Sequence, residues 1–150
     1  MSNIGFKDIA GAMVQSGNGL QAEIPESWRQ GRTAYGGISA ALALEAAQRQ
    51  HSDLPPLRAS LINFTGPVPS NPVYRTEVLR QGRNVTTIEA KGYDGEAPVI
   101  SVTFFFGTAR DSDLNIEFPG PEVPDPAQCG LFNPKEMDDF LPGFFLRFDT

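Results

Sequence analysis

The chain has 150 residues, 40% hydrophobic and 20% charged, and its 12 Lys and Arg against 18 Asp and Glu leave a formal charge of −6. A chain of this length buries roughly 68–70% of the surface it would expose unfolded, so one soluble domain can close a core without a metal or a disulfide. The acidic balance gives no footprint for nucleic acid, no apolar run reaches the ~18 residues of a membrane span, and the single Cys129 cannot form an intramolecular disulfide, which suits a reducing cytoplasm.

From Met1 to Met13, Lys7 and Asp8 interrupt the apolar residues, so no secretory signal is read there. Gly17-Asn18-Gly19 is not followed by a dinucleotide or phosphate-loop fingerprint and predicts a turn before a strand. Leu20, Ala22 and Ile24 then alternate with Gln21 and Glu23, the period of a half-buried strand ending at Pro25. Glu26 to Thr33 is polar apart from Trp28 and reads as a loop. Ile38 to Ala47 consists mostly of Ala and Leu, with only Ser39 and Glu45 polar. A helix so apolar around its circumference must be buried on more than one side. Its start is bare, because Gly36 and Gly37 bring no side chain to cover the first N–H groups. Glu45 and Arg49 form an i,i+4 pair near the exposed end, and Pro55-Pro56 stop the helix.

After the prolines the period changes to two. Leu57 to Phe64, Val73 to Arg80, Asn84 to Lys91 and Ala97 to Gly107 are predicted strands, with turns at Gln81-Gly82-Arg83 and Asp94-Gly95. Phe104, Phe105 and Phe106 occupy both faces of the last strand, which calls for the helix on one side and a partner sheet on the other. The fold class is α+β: an antiparallel sheet curled around one central helix, since such wrapping buries a helix with so small a polar face. Beyond residue 110 the composition shifts. Eight acidic residues between Asp111 and Asp139 stand against Lys135 alone, and Pro119, Pro121, Pro124, Pro126 and Pro134 interrupt any regular element.

The reactive side chains remove several enzyme classes. His51 is the only histidine and lies in a polar stretch, so no Ser-His-Asp or Cys-His set can be assembled around it. No Cys/His cluster has zinc spacing and no run of carboxylates has the calcium-loop pattern. Asn63-Phe64-Thr65 and Asn84-Val85-Thr86 are formal glycosylation sequons without a secretory signal to give them meaning.

The order of these pieces, with Tyr35-Gly36-Gly37-Ile38-Ser39-Ala40-Ala41-Leu42-Ala43, resembles the central helix of hotdog-fold acyl-CoA thioesterases. The strand ending Phe64-Thr65-Gly66-Pro67-Val68 and the stretch Val73 to Val85 resemble the N-terminal half of the TesB-like acyl-CoA thioesterases, in which one chain carries two hotdogs. The likeness covers about residues 16 to 110. It implies hydrolysis of an acyl-CoA thioester by activated water, with coenzyme A as part of the substrate and no metal or redox cofactor. It also implies a second hotdog as partner, in cis or in a homodimer. Gly37 is then a catalytic residue whose N–H meets the developing oxyanion, and Tyr35 lines or orients the site. A helix start suits that task because it offers free donors and a partial positive potential of roughly half a charge. Without the resemblance, the two glycines read equally as allowance for a tight loop and close packing.

The chain departs from the pattern of single-hotdog thioesterases, which resemble this helix but carry a His before the two glycines and a carboxylate seven residues after the second. Here those positions hold Tyr35 and Leu44. The general base is therefore not evident, and Glu45, turned about 100° around the helix from Leu44, does not replace it. In the TesB-like family the second half supplies that carboxylate. Gly36, Asn63, Arg83 and Asn84 are the candidate substrate-binding residues. Asn63 is expected on a face with Leu57, Ala59 and Leu61, lining an acyl pocket or held as a core amide. Arg80, Arg83 and Asn84 flank the Gly82 turn, where they could hold CoA phosphates or simply be solvated.

The domain reading is a hotdog over 1–110, an acidic Pro-rich connector over 111–143, and at 144–150 either the first strand of a second hotdog or a last edge strand of this one. The alternative function is a non-catalytic structural or acyl-CoA-binding hotdog half.

Overall fold

Two short elements precede those expected from the sequence. Helix α1 (Phe6–Gly11) packs against the long helix, and strand β1 (Val14–Ser16) pairs with β2 (Gly19–Gln21) across the Gly17-Asn18 turn. The computed structural model describes residues 4–114, 116–130, 141 and 143–147. The turn was legible because Gly17 adopts φ +58°, a left-handed conformation that glycine enters without a Cβ penalty. β2 is shorter than the alternation predicts. Its ladder with the later strand would continue at Pro72, which has no N–H to donate, so Ala22 and Ile24 keep only one-way bonds to the carbonyls of Pro72 (3.1 Å) and Ser70 (2.6 Å).

The stretch read as a loop holds a 3₁₀ turn, Glu26–Trp28, and a two-residue ribbon of β3 (Arg29–Gln30) with β4 (Thr33–Ala34). Strands of two residues have no period to detect. Helix α2 (Gly36–Gln50) follows, and then the four long strands β5 (Leu57–Phe64), β6 (Val73–Gln81), β7 (Val85–Asp94) and β8 (Ala97–Gly107). They join β1 and β2 in one six-stranded antiparallel sheet of order β1-β2-β6-β7-β8-β5. α2 lies against β6, β7 and β8. Its Ile38, Leu42, Ala43, Ala46 and Ala47 meet Tyr74, Ile88, Ala90, Ile100, Val102, Phe104 and Phe106 in the core. This sheet wrapped on one long helix is the hotdog fold.

Two details of register decide which side chains face the helix. β5 pairs Leu57 with Phe106 but Ala59 with Phe105, so a bulge at Arg58 flips the alternation. Ser60, Ile62 and Phe64 thus share the inner face with Phe104, Val102 and Ile100, whereas Ala59, Leu61 and Asn63 lie on the outer face. Leu57 therefore does not share a face with Asn63, contrary to the simple alternation. A second bulge, at Leu79 in β6, similarly keeps Gln81 on the inner face opposite Thr86.

β5 is the edge of the sheet opposite β1, and all eight of its residues are exposed. Leu61 is 58% exposed, Phe64 55% and Ile62 40%. The helix, expected to be covered on more than one side, is fully covered only toward the sheet: Gly36, Ala40, Ala41 and Leu44 are half-buried and Gly37 is exposed.

Residues 116–130 run exposed apart from any strand, with one 3₁₀ turn at Pro126–Gln128 capped by the Asp125 side chain. The strand expected over 144–150 is not formed where it is described. Gly143–Arg147 is a 3₁₀ helix packed on the Glu26–Trp28 turn and β3. A strand would send Phe144 and Phe145 to opposite faces, but their rings meet at 4.7 Å, as a tight helical turn permits. Residues 148–150 and the part of the connector at 131–140 lie outside the described residues.

Candidate active site

Tyr35 is the N-cap of α2 (φ −57°, ψ 135°), and among the described residues no side-chain hydrogen bond caps this end. Its own N–H donates to the Trp28 carbonyl at 3.0 Å, and its carbonyl accepts from the Ser39 N–H at 3.2 Å and the Ser39 hydroxyl at 3.1 Å. The Ser39 bond is the first of the helix. The N–H groups of Gly36, Gly37 and Ile38 come before it, so they have no helical acceptor. The first turn carries no acidic residue to neutralise its partial positive charge.

Each of the two glycines sits under an aromatic ring. A Cβ on Gly36 would lie 2.9 Å from the tip of the Phe64 ring, and a Cβ on Gly37 would overlap the Tyr35 ring itself. The Tyr35 ring is half-buried and stacked on Phe144, with centroids 4.4 Å apart and planes 12° from parallel. The arrangement is a short run of donors, without acceptors among the described residues, between Phe64 on the open edge and Tyr35 backed by Phe144. Chemically it can accept a carbonyl oxygen or an anion beside an apolar surface.

The predicted site residues divide into two groups. Tyr35, Gly36 and Gly37 are together. Asn63 is exposed on the outer face, opposite Ser101, and does not join them. Arg83 and Asn84 sit at the β6–β7 turn beside Gly107, the end of the sheet where β5 begins, whereas Gly36 touches Phe64 at the end where β5 finishes. Seven residues of strand, about 23 Å, separate those ends. The Asn84 carbonyl is occupied by the Thr108 N–H at 3.0 Å. Glu45 is held by Arg49 at 2.6 Å, as its spacing predicted, and Arg49 also donates to the Ala10 carbonyl at 2.6 Å, tying α1 to α2. Leu44 is half-buried against the core.

Two aromatic members of the site were missed. Phe64 reads in sequence as the last residue of a strand, and the bulge that turns it inward is not encoded in the alternation. Phe144 reads as part of an apolar strand.

Other polar clusters stand apart from this end of the helix. His51 Nε2 is 2.9 Å from the Thr76 hydroxyl, which itself donates to the side chain of Gln50, the last residue of α2. Tyr74 is wholly buried on β6, its hydroxyl facing Ser39 without a hydrogen bond of ordinary geometry, and burial pushes its ionisation well above the usual phenol range. Among the described residues no three His, Cys, Asp or Glu gather as metal ligands, and no helix is long and apolar enough to cross a membrane.

Residues 24–107, more than half of the chain, match the family described as the acyl-CoA thioesterase N-terminal domain, and the chain belongs to that family. No curated relative matches it in sequence. Among solved structures it is similar to a hotdog-fold protein of unknown function from Alicyclobacillus acidocaldarius, with 26% identity and a TM-score of 0.72 over 87% of this chain and 49% of that one. It is also similar to an acyl-CoA thioesterase II, TesB2, from Mycobacterium marinum, at 18% identity and a TM-score of 0.64 over 89% of this chain and 49% of that one. A tesB protein of Mycobacterium avium subspecies paratuberculosis gives 16% identity and a TM-score of 0.66, over 81% and 48%. The chain spans about half the length of these structures.

Proposed function

We propose that this chain is the first hotdog of an acyl-CoA thioesterase and works when a second hotdog, in cis or from another copy, covers its β5 edge. The observation that carries the reading is the uncapped start of α2, where Gly37 is exposed and its N–H has no helical acceptor. Two further observations support it. The similar structures are about twice as long, and β5 exposes Ile62 and Phe64 on one face and Leu61 on the other, as an unpaired edge would. The compartment consistent with one cysteine and an acidic chain is the cytoplasm.

In the reaction, the thioester carbonyl oxygen accepts from the Gly37 N–H. A carboxylate of the second hotdog takes a proton from water as the water oxygen bonds to the carbonyl carbon. The C–S bond then breaks and the protonated carboxyl group returns its proton to the leaving thiolate, giving a carboxylic acid and the thiol of coenzyme A. Donors already aimed at the oxyanion need no reorganisation as charge develops. Tyr35 flanks the carbonyl. Arg83 and Asn84 lie far from Gly37 within one hotdog, so a CoA-binding role for them requires the partner to bring its own site to that end.

A second reading, a non-catalytic acyl-CoA-binding half, is favoured by one residue: Leu44 stands where single-hotdog thioesterases carry their carboxylate. Hydrolysis of an acyl-CoA panel by the full-length protein separates the two. The thioesterase reading expects turnover, and Gly37→Pro, which removes the N–H, to lose about 10²–10³ in kcat relative to Gly37→Ala, which keeps it. No turnover of any acyl-CoA overturns it, and equal activity of the two variants overturns the oxyanion role.

A further inference from the structure

Phe144 is 6% exposed and stacks face to face on Tyr35, the ring that covers Gly37. Phe145 backs Phe144 at 4.7 Å. Both arrive on the 3₁₀ helix Gly143–Arg147, which is anchored on the Glu26–Trp28 turn and β3. A tyrosine at a helix N-cap would ordinarily be free to change rotamer. Here a ring stacked face to face restrains it.

We propose that the Tyr35–Phe144 stack is a specificity wall, admitting unbranched acyl groups and rejecting those branched at the carbon next to the carbonyl. The inference rests on the thioesterase reading above. A carbonyl oxygen bonded to the Gly37 N–H lies about 2.9 Å from that nitrogen. Its carbonyl carbon and first acyl carbon then lie beside the ring that fills the place of a Gly37 Cβ. One methylene can run along a flat wall, but a second substituent on the same carbon must point into it. Interiors yield little to an added methyl group when the wall itself is packed from behind. Phe144 therefore acts on selectivity without touching the carbonyl: it is a positioning residue for Tyr35.

The test measures kcat/KM of the full-length protein for matched straight and 2-methyl acyl-CoA thioesters of several chain lengths. The wild type should prefer the straight member of each pair. Phe144→Ala, which removes the ring stacked on Tyr35, should raise the branched-to-straight ratio about tenfold or more, the scale of discrimination set by one methylene in a tight pocket. Phe144→Leu keeps the buried apolar bulk and hence the fold, and should shift the ratio in the same direction by less. A wild type indifferent to the branch, or an unchanged ratio in Phe144→Leu with its melting temperature intact, overturns the wall and leaves the thioesterase reading standing. A full-length protein that hydrolyses no acyl-CoA overturns both.

Discussion

Gly36 and Phe64, on different elements, fit together only because one of them has no side chain: a Cβ on Gly36 would come within 2.9 Å of the ring tip of Phe64. The same holds one residue later, where the ring of Tyr35 occupies the space of a Gly37 side chain. The glycines thus serve packing and exposure of donors at once, and these two explanations, which the sequence left as alternatives, describe one geometry.

The rings differ in how easily they can give way, which separates two otherwise similar substitutions. Phe64 is 55% exposed and its free tip can move, so Gly36→Ala should change stability by no more than about 0.5 kcal/mol in either direction. Tyr35 is pinned by Phe144, so Gly37→Ala should cost about 1–3 kcal/mol of overpacking despite the better helix propensity of alanine. Thermal or urea melts of the two variants check the contrast, and equal losses would contradict it.

If a second hotdog covers β5, its exposed residues behave as core residues in the assembled protein. Phe64→Ala in the full-length protein should then cost about 3–5 kcal/mol, as a buried phenylalanine does, rather than the half kilocalorie typical of surface positions. Ile62→Lys should loosen the assembly, since a lysine on an edge strand opposes further pairing. Denaturant midpoints and sedimentation report the two effects. A surface-sized loss for Phe64→Ala would mean that the partner sits elsewhere.

The long strands and α2 were legible because their period persists over many residues: Leu57–Phe64 and Ala97–Gly107 have the bounds read from alternation. The faces were less so. Asn63 was expected beside Leu57, and one unpaired residue, Arg58, placed them on opposite sides. A bulge is set by how two strands meet, which single-strand alternation does not carry. The site was half legible for a related reason. Gly36 and Gly37 announce an open helix start, but Phe64 and Phe144 reach it through contacts distant in sequence. Phe144 in particular sits in an apolar stretch whose composition suits a strand as well as the 3₁₀ helix that Gly143–Arg147 adopts.

Glu45 is the carboxylate closest in sequence to the position where single-hotdog relatives carry a base, yet its geometry gives it other work. It accepts from Arg49 at 2.6 Å and the pair is partly exposed. Glu45→Gln should therefore leave hydrolysis by the full-length protein unchanged and cost about 0.3–0.5 kcal/mol, the worth of an i,i+4 pair. Arg49→Ala should cost more, because it also abandons the Ala10 carbonyl and the link between α1 and α2. A fall in kcat of tenfold or more for Glu45→Gln would contradict this and make Glu45 a candidate base.

Tyr74 gives the fold a signature at high pH. Its hydroxyl is buried without an ordinary hydrogen bond, and desolvation raises its ionisation, an effect only partly offset by the nearby Ser39 hydroxyl. In the unfolded chain the phenol ionises near its usual value of about 10. Below that pH both states hold the proton and the group contributes no pH dependence. Above it the unfolded state loses the proton while the folded state keeps it, so stability falls with rising pH by up to about 1.4 kcal/mol per unit until the folded value is reached. Tyr74→Phe removes this proton from both states and should flatten the alkaline limb by that slope. At neutral pH the same variant should be at least as stable as the wild type, because an unsatisfied buried hydroxyl costs about 1–3 kcal/mol. Urea midpoints measured from pH 7 to pH 11 test both points. A loss above about 1 kcal/mol at neutral pH would show that the hydroxyl is well bonded after all.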